Sequence, residues 1–234
     1  MKKNIGDILS LYPKKRPPLS VKHQERFELD YKTNREGSSG IIGRAAQRLE
    51  RWMHIKVAST DSVGVTLEVG AGTLNHLKFE SHSQPYDIVE PFKELYLGKH
   101  EECSRIRTIY SRLADIPKHC KYSRIISIAT LEHMLELPDE LAIMHDKLEP
   151  GGIFQAGIPS EGGLLWGLSW RLTTGMSYRL RTGLSYSSIM KFEHVNTADE
   201  ILSLVKHYFS DVKYERFPIN NKHLSFYTYI TARK

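Results

Sequence analysis

In Leu67-Glu68-Val69-Gly70-Ala71-Gly72 an acidic residue stands two places before a Gly-x-Gly pair, at the end of an apolar run. Glycines let a chain turn tightly after a strand and let a ligand approach the backbone. Eighteen residues after Gly72, the run Tyr86-Asp87-Ile88-Val89 ends in Glu90. A carboxylate at that place accepts hydrogen bonds from both hydroxyls of a ribose. The two spacings together point to a nucleoside-containing cofactor held by Glu68, Gly70, Gly72 and Glu90. A nicotinamide dehydrogenase is the first competitor. Its fingerprint has a third glycine three places after the second, where this chain carries Asn75. That glycine lets a helix pack close beneath a pyrophosphate. Its absence suits a cofactor without pyrophosphate, and an acid at Glu68 suits a ligand bearing an amino group rather than a diphosphate, because like charges repel.

These residues need strands to hold them. The sequence predicts strands over 63–69, 86–89, 105–110, 124–129, 153–158, 212–217 and 224–232. Helices are predicted over 40–57, 91–99 and 138–148, and from Thr197 onward. Ile42, Ala45, Ala46, Leu49, Trp52 and Met53 share one face of the first. Thr197 and Glu200 form a capping box, in front of an apolar face of Ile201, Leu202, Val205 and Phe209. The alternation implies an α/β protein with a doubly wound, seven-stranded, mostly parallel sheet. The last strand alternates as an antiparallel addition would. Residues 1–58 read as an N-terminal helical cap and 59–234 as the main domain. Within it, about 160–193 reads as an insertion over the site, rich in glycine and aromatic residues.

The motifs resemble those of class I S-adenosylmethionine-dependent methyltransferases, in the small-molecule branch often called type 11. Glu68-Val69-Gly70-Ala71-Gly72 resembles their first motif, and Glu90 their ribose ligand. Ala114-Asp115-Ile116-Pro117 resembles the segment whose Asp meets the adenine amino group, which implies a cofactor role for Asp115. Ile128-Ala129-Thr130-Leu131-Glu132-His133-Met134 resembles the fourth motif, and Leu148-Glu149-Pro150-Gly151-Gly152 the turn before the fifth strand. Departures are Tyr122-Ser123-Arg124-Ile125, where the family often has Asp, and Leu74, where an extended first motif has glycine. Gly157 to Gly163, with Glu193-His194-Val195-Asn196-Thr197, is similar to methyltransferases of bacterial surface-polysaccharide biosynthesis.

The resemblance implies S-adenosylmethionine as cofactor and O-methylation of a sugar or glycan intermediate. Methylation of another small metabolite, or a cofactor-binding module without turnover, stays open. A hydroxyl acceptor needs a base. His133 is the first candidate, then His194, then Glu132; a free histidine titrates near neutrality. Trp166 and Trp170 could form an internal lid, an acceptor platform or a membrane-surface contact. Lys14-Lys15-Arg16 reads as a solvated tail. Tyr31 and Arg35 are further candidates for the cofactor's carboxylate.

Composition sets the remaining bounds. The 234 residues are 40% apolar and 26% charged, enough for one domain with a buried core. No run approaches the ~20 apolar residues of a membrane span, and Met1–Ser20 has no leader-like apolar stretch. Cys103 and Cys120, at no metal-like spacing, suit a reduced cytoplasmic protein; no metal site is read. The net charge of +6 could attract anionic partners. No stripe alternates bases with aromatics, so nucleic acid is not expected. Peripheral membrane contact and the oligomeric state are left open.

Overall fold

The computed structural model describes residues 4–34, 41–60 and 63–234, the side chains of 28, 30–34 and 41–47 excepted. Three helices come first: α1 (Ile5–Leu9), α2 (Val21–Asn34) and α3 (Ile41–Ala58). Then follow β1 (Thr66–Val69), β2 (Tyr86–Val89), α4 (His100–Ser104), β3 (Thr108–Tyr110), β4 (Tyr122–Ile128), α5 (Leu137–Lys147) and β5 (Leu148–Pro159). The insertion is helical, with α6 (Leu164–Trp170), a π-turn at Arg171–Gly175, α7 (Met176–Thr182) and α8 (Tyr186–Glu193). Helix α9 (Ala198–Tyr208), β6 (Ser210–Pro218) and β7 (Ser225–Arg233) complete the chain. The Thr197–Glu200 capping box forms as the sequence predicts: the threonine hydroxyl accepts the Glu200 N–H.

The seven strands form one sheet in the order β3-β2-β1-β4-β5-β7-β6. Strands β1 to β5 pair in parallel, while β7 runs antiparallel to β5 and β6, so the sheet is mixed. Its pleat sends alternate side chains to two cores. In β4, Ile125 faces Leu141 of α5, Ile201 of α9 and Ile8 of α1, whereas Ile126 and Ile128 face the other core. That second core includes Met53 and Val57, both fully buried, so the end of α3 is part of the layer covering the sheet. No helix among the described residues is long and apolar enough to cross a membrane.

One predicted helix is corrected. Residues 91–99 hold a single 3-10 turn, Lys93–Leu95, followed by the short α4. The Phe92 N–H is taken by Glu90 Oε1 at 3.0 Å, and Gly98 adopts φ +87°, a left-handed conformation that ends a helix. The strands also differ from prediction at their ends; β5 begins at Leu148 and takes in the Pro150-Gly151-Gly152 turn.

Arg124, in the stretch at the start of the fourth strand that departs from the family pattern, is 2% exposed. Its guanidinium donates to both oxygens of Glu80 at 2.8 and 3.0 Å, to Gln155 Oε1 at 2.6 Å and to the Val57 carbonyl at 2.7 Å. His76 Nε2 lies 2.6 Å from Glu80 Oε1. Burial pushes the Glu80 carboxyl up, but the hydrogen bonds from His76 and Arg124 outweigh it and bring it down to about 2. Removing one member of a buried pair leaves the other charge uncompensated, at about 3–5 kcal/mol. Arg124→Met is therefore expected to lower the unfolding free energy by that amount in urea titrations at pH 7. A carboxyl held below its ordinary pKa contributes stability that is complete above about 4.5 and is lost as pH falls toward 2. Native stability should drop between those values, and Glu80→Gln should flatten that slope.

Candidate functional site

Parallel strands leave their carboxyl ends on one edge, where doubly wound sheets bind ligands. Here Gly70 follows β1, Glu90 follows β2, and Ala129 and Thr130 follow β4. Gly70 has φ +78°, and a Cβ on it would lie 2.3 Å from the Thr130 side chain. Thr130 Oγ1 in turn donates to the Gly70 carbonyl at 3.3 Å, so the loops after β1 and β4 touch. Gly72, at φ +51°, differs: a Cβ there would meet nothing within 4 Å. Beside Gly72 the backbone borders open space. Leu74 has φ +62° and is buried. It occupies the left-handed conformation that a glycine of the extended first motif would take without cost, and the apolar core holds its side chain there.

Glu90 is 4% exposed. Its Oε2 accepts the Gly72 N–H at 2.7 Å and its Oε1 the Phe92 N–H at 3.0 Å, so it joins the first turn to the second strand. Glu68 lies within the protein, accepting the Tyr86 hydroxyl at 2.8 Å. Burial, opposed by that hydrogen bond, raises its carboxyl to about 8, which makes it neutral at pH 7. Asp115 is exposed; it accepts the Arg112 N–H at 3.0 Å and pairs with the Arg112 guanidinium at 2.9 Å, which holds its carboxyl below the usual range. Glu90 is thus in direct contact with Gly72, while Gly70 touches Thr130, Glu68 is buried against Tyr86 and Asp115 stands on a turn after β3.

The three candidate bases converge. His133 and His194 pack edge to face with ring centroids 4.9 Å apart. His133 Nε2 lies 3.8 Å from Glu132 Oε1, and the three side chains place one donor atom each within 4.8 Å of the others. Their supports come from different elements. His133 Nδ1 is 2.9 Å from the Glu193 carbonyl, at the end of α8. His194 Nδ1 is 3.2 Å from Glu161 Oε2, which also accepts the Trp166 indole N–H. Glu132 is 2% exposed, and its Oε2 has no hydrogen-bond partner. Burial, opposed by the charge of His194, raises the Glu132 carboxyl to about 7. Burial and the positive charge of His194 lower His133 to about 4, so a neutral-pH titration does not belong to His133 in this setting. Burial would lower His194 too, but Glu161 and the surrounding acids raise it.

Asn196, fully buried, clamps the cluster. Its Nδ2 donates to the carbonyls of Leu131 and Met134 at 2.8 and 2.7 Å, and its Oδ1 accepts the Tyr12 hydroxyl at 2.7 Å. Lys14 is not part of a solvated tail, whereas Lys15 and Arg16 are exposed. Lys14 Nζ donates to the Val195 carbonyl and to Glu200, both at 2.7 Å, and Arg16 reaches the Phe192 carbonyl at 3.1 Å. Trp166 stacks 6.2 Å from His194 and faces Tyr227, while Trp170 meets Tyr186 deeper in the insertion. Along α6 to α7, Leu164, Leu168, Leu172, Met176 and Leu180 are exposed at four-residue intervals. Cys103 and Cys120 are free and half-buried. Arg35 and the Tyr31 side chain lie outside the described residues.

No protein-family model matches the chain, and no curated protein does. Solved structures do. A methyltransferase from Thermotoga maritima that depends on S-adenosylmethionine is 15% identical, with a TM-score of 0.59, over 90% of this chain and 97% of its own. A Burkholderia thailandensis protein of the O-methyltransferase family is 14% identical, with a TM-score of 0.60, over 98% of this chain and 66% of its own. Haemonchus contortus phosphoethanolamine N-methyltransferase 2, in complex with S-adenosylmethionine, is 9% identical with a TM-score of 0.56. The match covers 79% of this chain, which spans about half of that protein, 52%. At these identities the likeness establishes the fold alone: the chain shares the seven-stranded α/β fold of these solved methyltransferases.

The two glycines should respond differently to the same substitution. Both need a left-handed backbone, which costs a residue with a Cβ about 1–2 kcal/mol. Only Gly70→Ala adds a collision, with Thr130, worth about 1–3 kcal/mol more. Gly70→Ala should therefore be the less stable variant in urea unfolding, and equal stabilities would remove the contact between the β1 and β4 loops.

Proposed function

We propose that the chain is an S-adenosylmethionine-dependent methyltransferase acting on an oxygen of a small acceptor, a sugar or sugar-containing intermediate. The observation that supports this reading is that Gly70, Gly72 and Glu90 follow β1 and β2 while Glu132 and His133 follow β4, at the same carboxyl edge of the sheet, with Thr130 bonded to Gly70. The first three suit a nucleoside. The open space beside Gly72 admits a ligand against the backbone. Each Glu90 oxygen already accepts one backbone N–H and keeps a lone pair for a ribose hydroxyl. Asp115 would meet the adenine amino group. Glu68 would act toward the cofactor's amine, whose positive charge would return the buried carboxyl to its ionised form.

When bound, the cofactor supplies an activated methyl group on a sulfonium, so the protein's task is to orient, to exclude water and to take up a proton. Positioning falls to the loop after β4, held by Thr130 and Asn196. The acceptor's proton leaves toward Glu132, His133 and His194. Trp166, already stacked on His194, offers a flat apolar surface of the kind on which a sugar ring packs. The sugar class rests on this surface and on the sequence resemblance.

Two measurements test the reading. S-adenosylhomocysteine should raise the melting temperature, and nicotinamide dinucleotides should not. Glu90→Ala loses charge-assisted hydrogen bonds of roughly 1.5–3 kcal/mol each. Its affinity for S-adenosylhomocysteine by calorimetry should fall at least about tenfold. Stabilisation by the dinucleotides alone, or an unchanged dissociation constant, would count against the assignment.

A further inference from the structure

We propose that Glu132, His133 and His194 bind one divalent transition-metal cation. One donor atom from each side chain lies within 4.8 Å of the other two. A cation bonded at about 2.1 Å sets its donors roughly 3–3.5 Å apart, so side-chain rotations of about an ångström close the set.

The surroundings are those of metal-ligating histidines. Such a ring usually gives its second nitrogen to a carbonyl or carboxylate, which fixes its orientation and leaves the other nitrogen's lone pair for the metal. Both rings do this. His133 Nδ1 is held by the Glu193 carbonyl and His194 Nδ1 by the Glu161 carboxylate, which is itself fixed by the Trp166 indole. Both Nε2 atoms are thereby left for a shared occupant.

Glu132 supplies the independent sign. Its carboxylate is 2% exposed, and Oε2 has neither a hydrogen-bond donor nor water access. Glu132 Oε1 lies 3.8 Å from His133 Nε2, so a rotation of the carboxylate brings either oxygen to a cation between the three side chains and gives the unmet one a partner. Two imidazoles and one carboxylate suit zinc, cobalt, iron or manganese, and suit magnesium or calcium poorly. Three protein ligands leave a position open, the arrangement of catalytic sites. The His133 side chain is 35% exposed, so the open side is reachable. The role of the cation rests on the methyltransferase reading: with the three side chains bound to the cation, an acceptor hydroxyl on that open position would lose its proton more readily and pass it to solvent on the exposed side of His133. Its binding does not rest on that reading.

The test uses the full chain, stripped with EDTA and dialysed, then titrated by calorimetry with zinc, cobalt and magnesium chlorides. One equivalent of zinc and one of cobalt should bind, cobalt with visible absorption bands of nitrogen and oxygen coordination. Magnesium should bind at least 100-fold more weakly. Glu132→Gln and His194→Ala should each lower zinc affinity at least 100-fold. Glu161→Ala, which removes the support of His194 and of the Trp166 indole but no ligand, should cost about 10–100-fold. His82→Ala, on an exposed loop, should change nothing. Absence of saturable zinc and cobalt binding to the native chain overturns the proposal. So does zinc binding of native affinity in folded Glu132→Gln and His194→Ala proteins. S-adenosylhomocysteine titrations of the same samples separate the two ideas. Homocysteine-nucleoside binding without metal defeats the metal site alone, and metal binding without the nucleoside defeats the methyltransferase reading alone.

Discussion

A buried guanidinium must find partners wherever the chain can supply them, because an unpaired interior charge costs more than most single contacts return. Arg124 sits in the central strand β4 with 2% exposure, and its demand draws four elements together. Glu80 comes from the segment after β1, Gln155 from β5 and the Val57 carbonyl from α3. Gln155 then engages the Tyr229 hydroxyl of β7. The network fixes which helix covers this face and how the segment after the Gly-x-Gly turn returns to the sheet. A neighbouring set, Asp87 with Arg107 and Tyr122, ties β2, β3 and β4 in the same way.

With the interior pinned there, the carboxyl edge of the sheet tolerates unusual conformations. Gly70, Gly72, Leu74 and Ala129 all have positive φ, and all lie in the loops after β1 and β4. Such backbone is retained only where surrounding structure over-determines it, and it clusters at functional sites. Thr130 on Gly70 and Asn196 on Leu131 supply that restraint. Glu132 and His133 of the polar cluster are built on the same restrained loop, and His194 joins them from the end of α8. The cluster's surroundings also depend on contacts made by residues near the N-terminal end of the chain, Tyr12, Lys14 and Arg16.

Much of this was legible in the sequence, and the reasons are local. Strand alternation, the glycine pair, Glu90 and the Thr197–Glu200 capping box each declare themselves within a few residues. The mixed character of the sheet was visible only in the last strand's alternation. Residues 91–99 misled because helix propensity competed with two contacts that short-range patterns do not carry, the Glu90 cap on Phe92 and the Gly98 conformation. Arg124 looked like a mere departure from a motif, since its partners Glu80 and Gln155 are distant in sequence. Lys14 looked like part of a free tail for the same reason. His133 and His194 were both singled out, but their meeting around Glu132 appears only when α8 is laid against the loop after β4. For that reason the sequence pointed to no metal, whereas the geometry points to one.

The account turns on what the edge formed by β1, β2 and β4 holds. The most direct measurement is a crystal structure of the chain grown with saturating S-adenosylhomocysteine. The account predicts a nucleoside beside Gly72 with both ribose hydroxyls on the Glu90 carboxylate, and a sulfur that faces the Glu132, His133 and His194 cluster. A ligand bound elsewhere, or with its ribose turned away from Glu90, would contradict it.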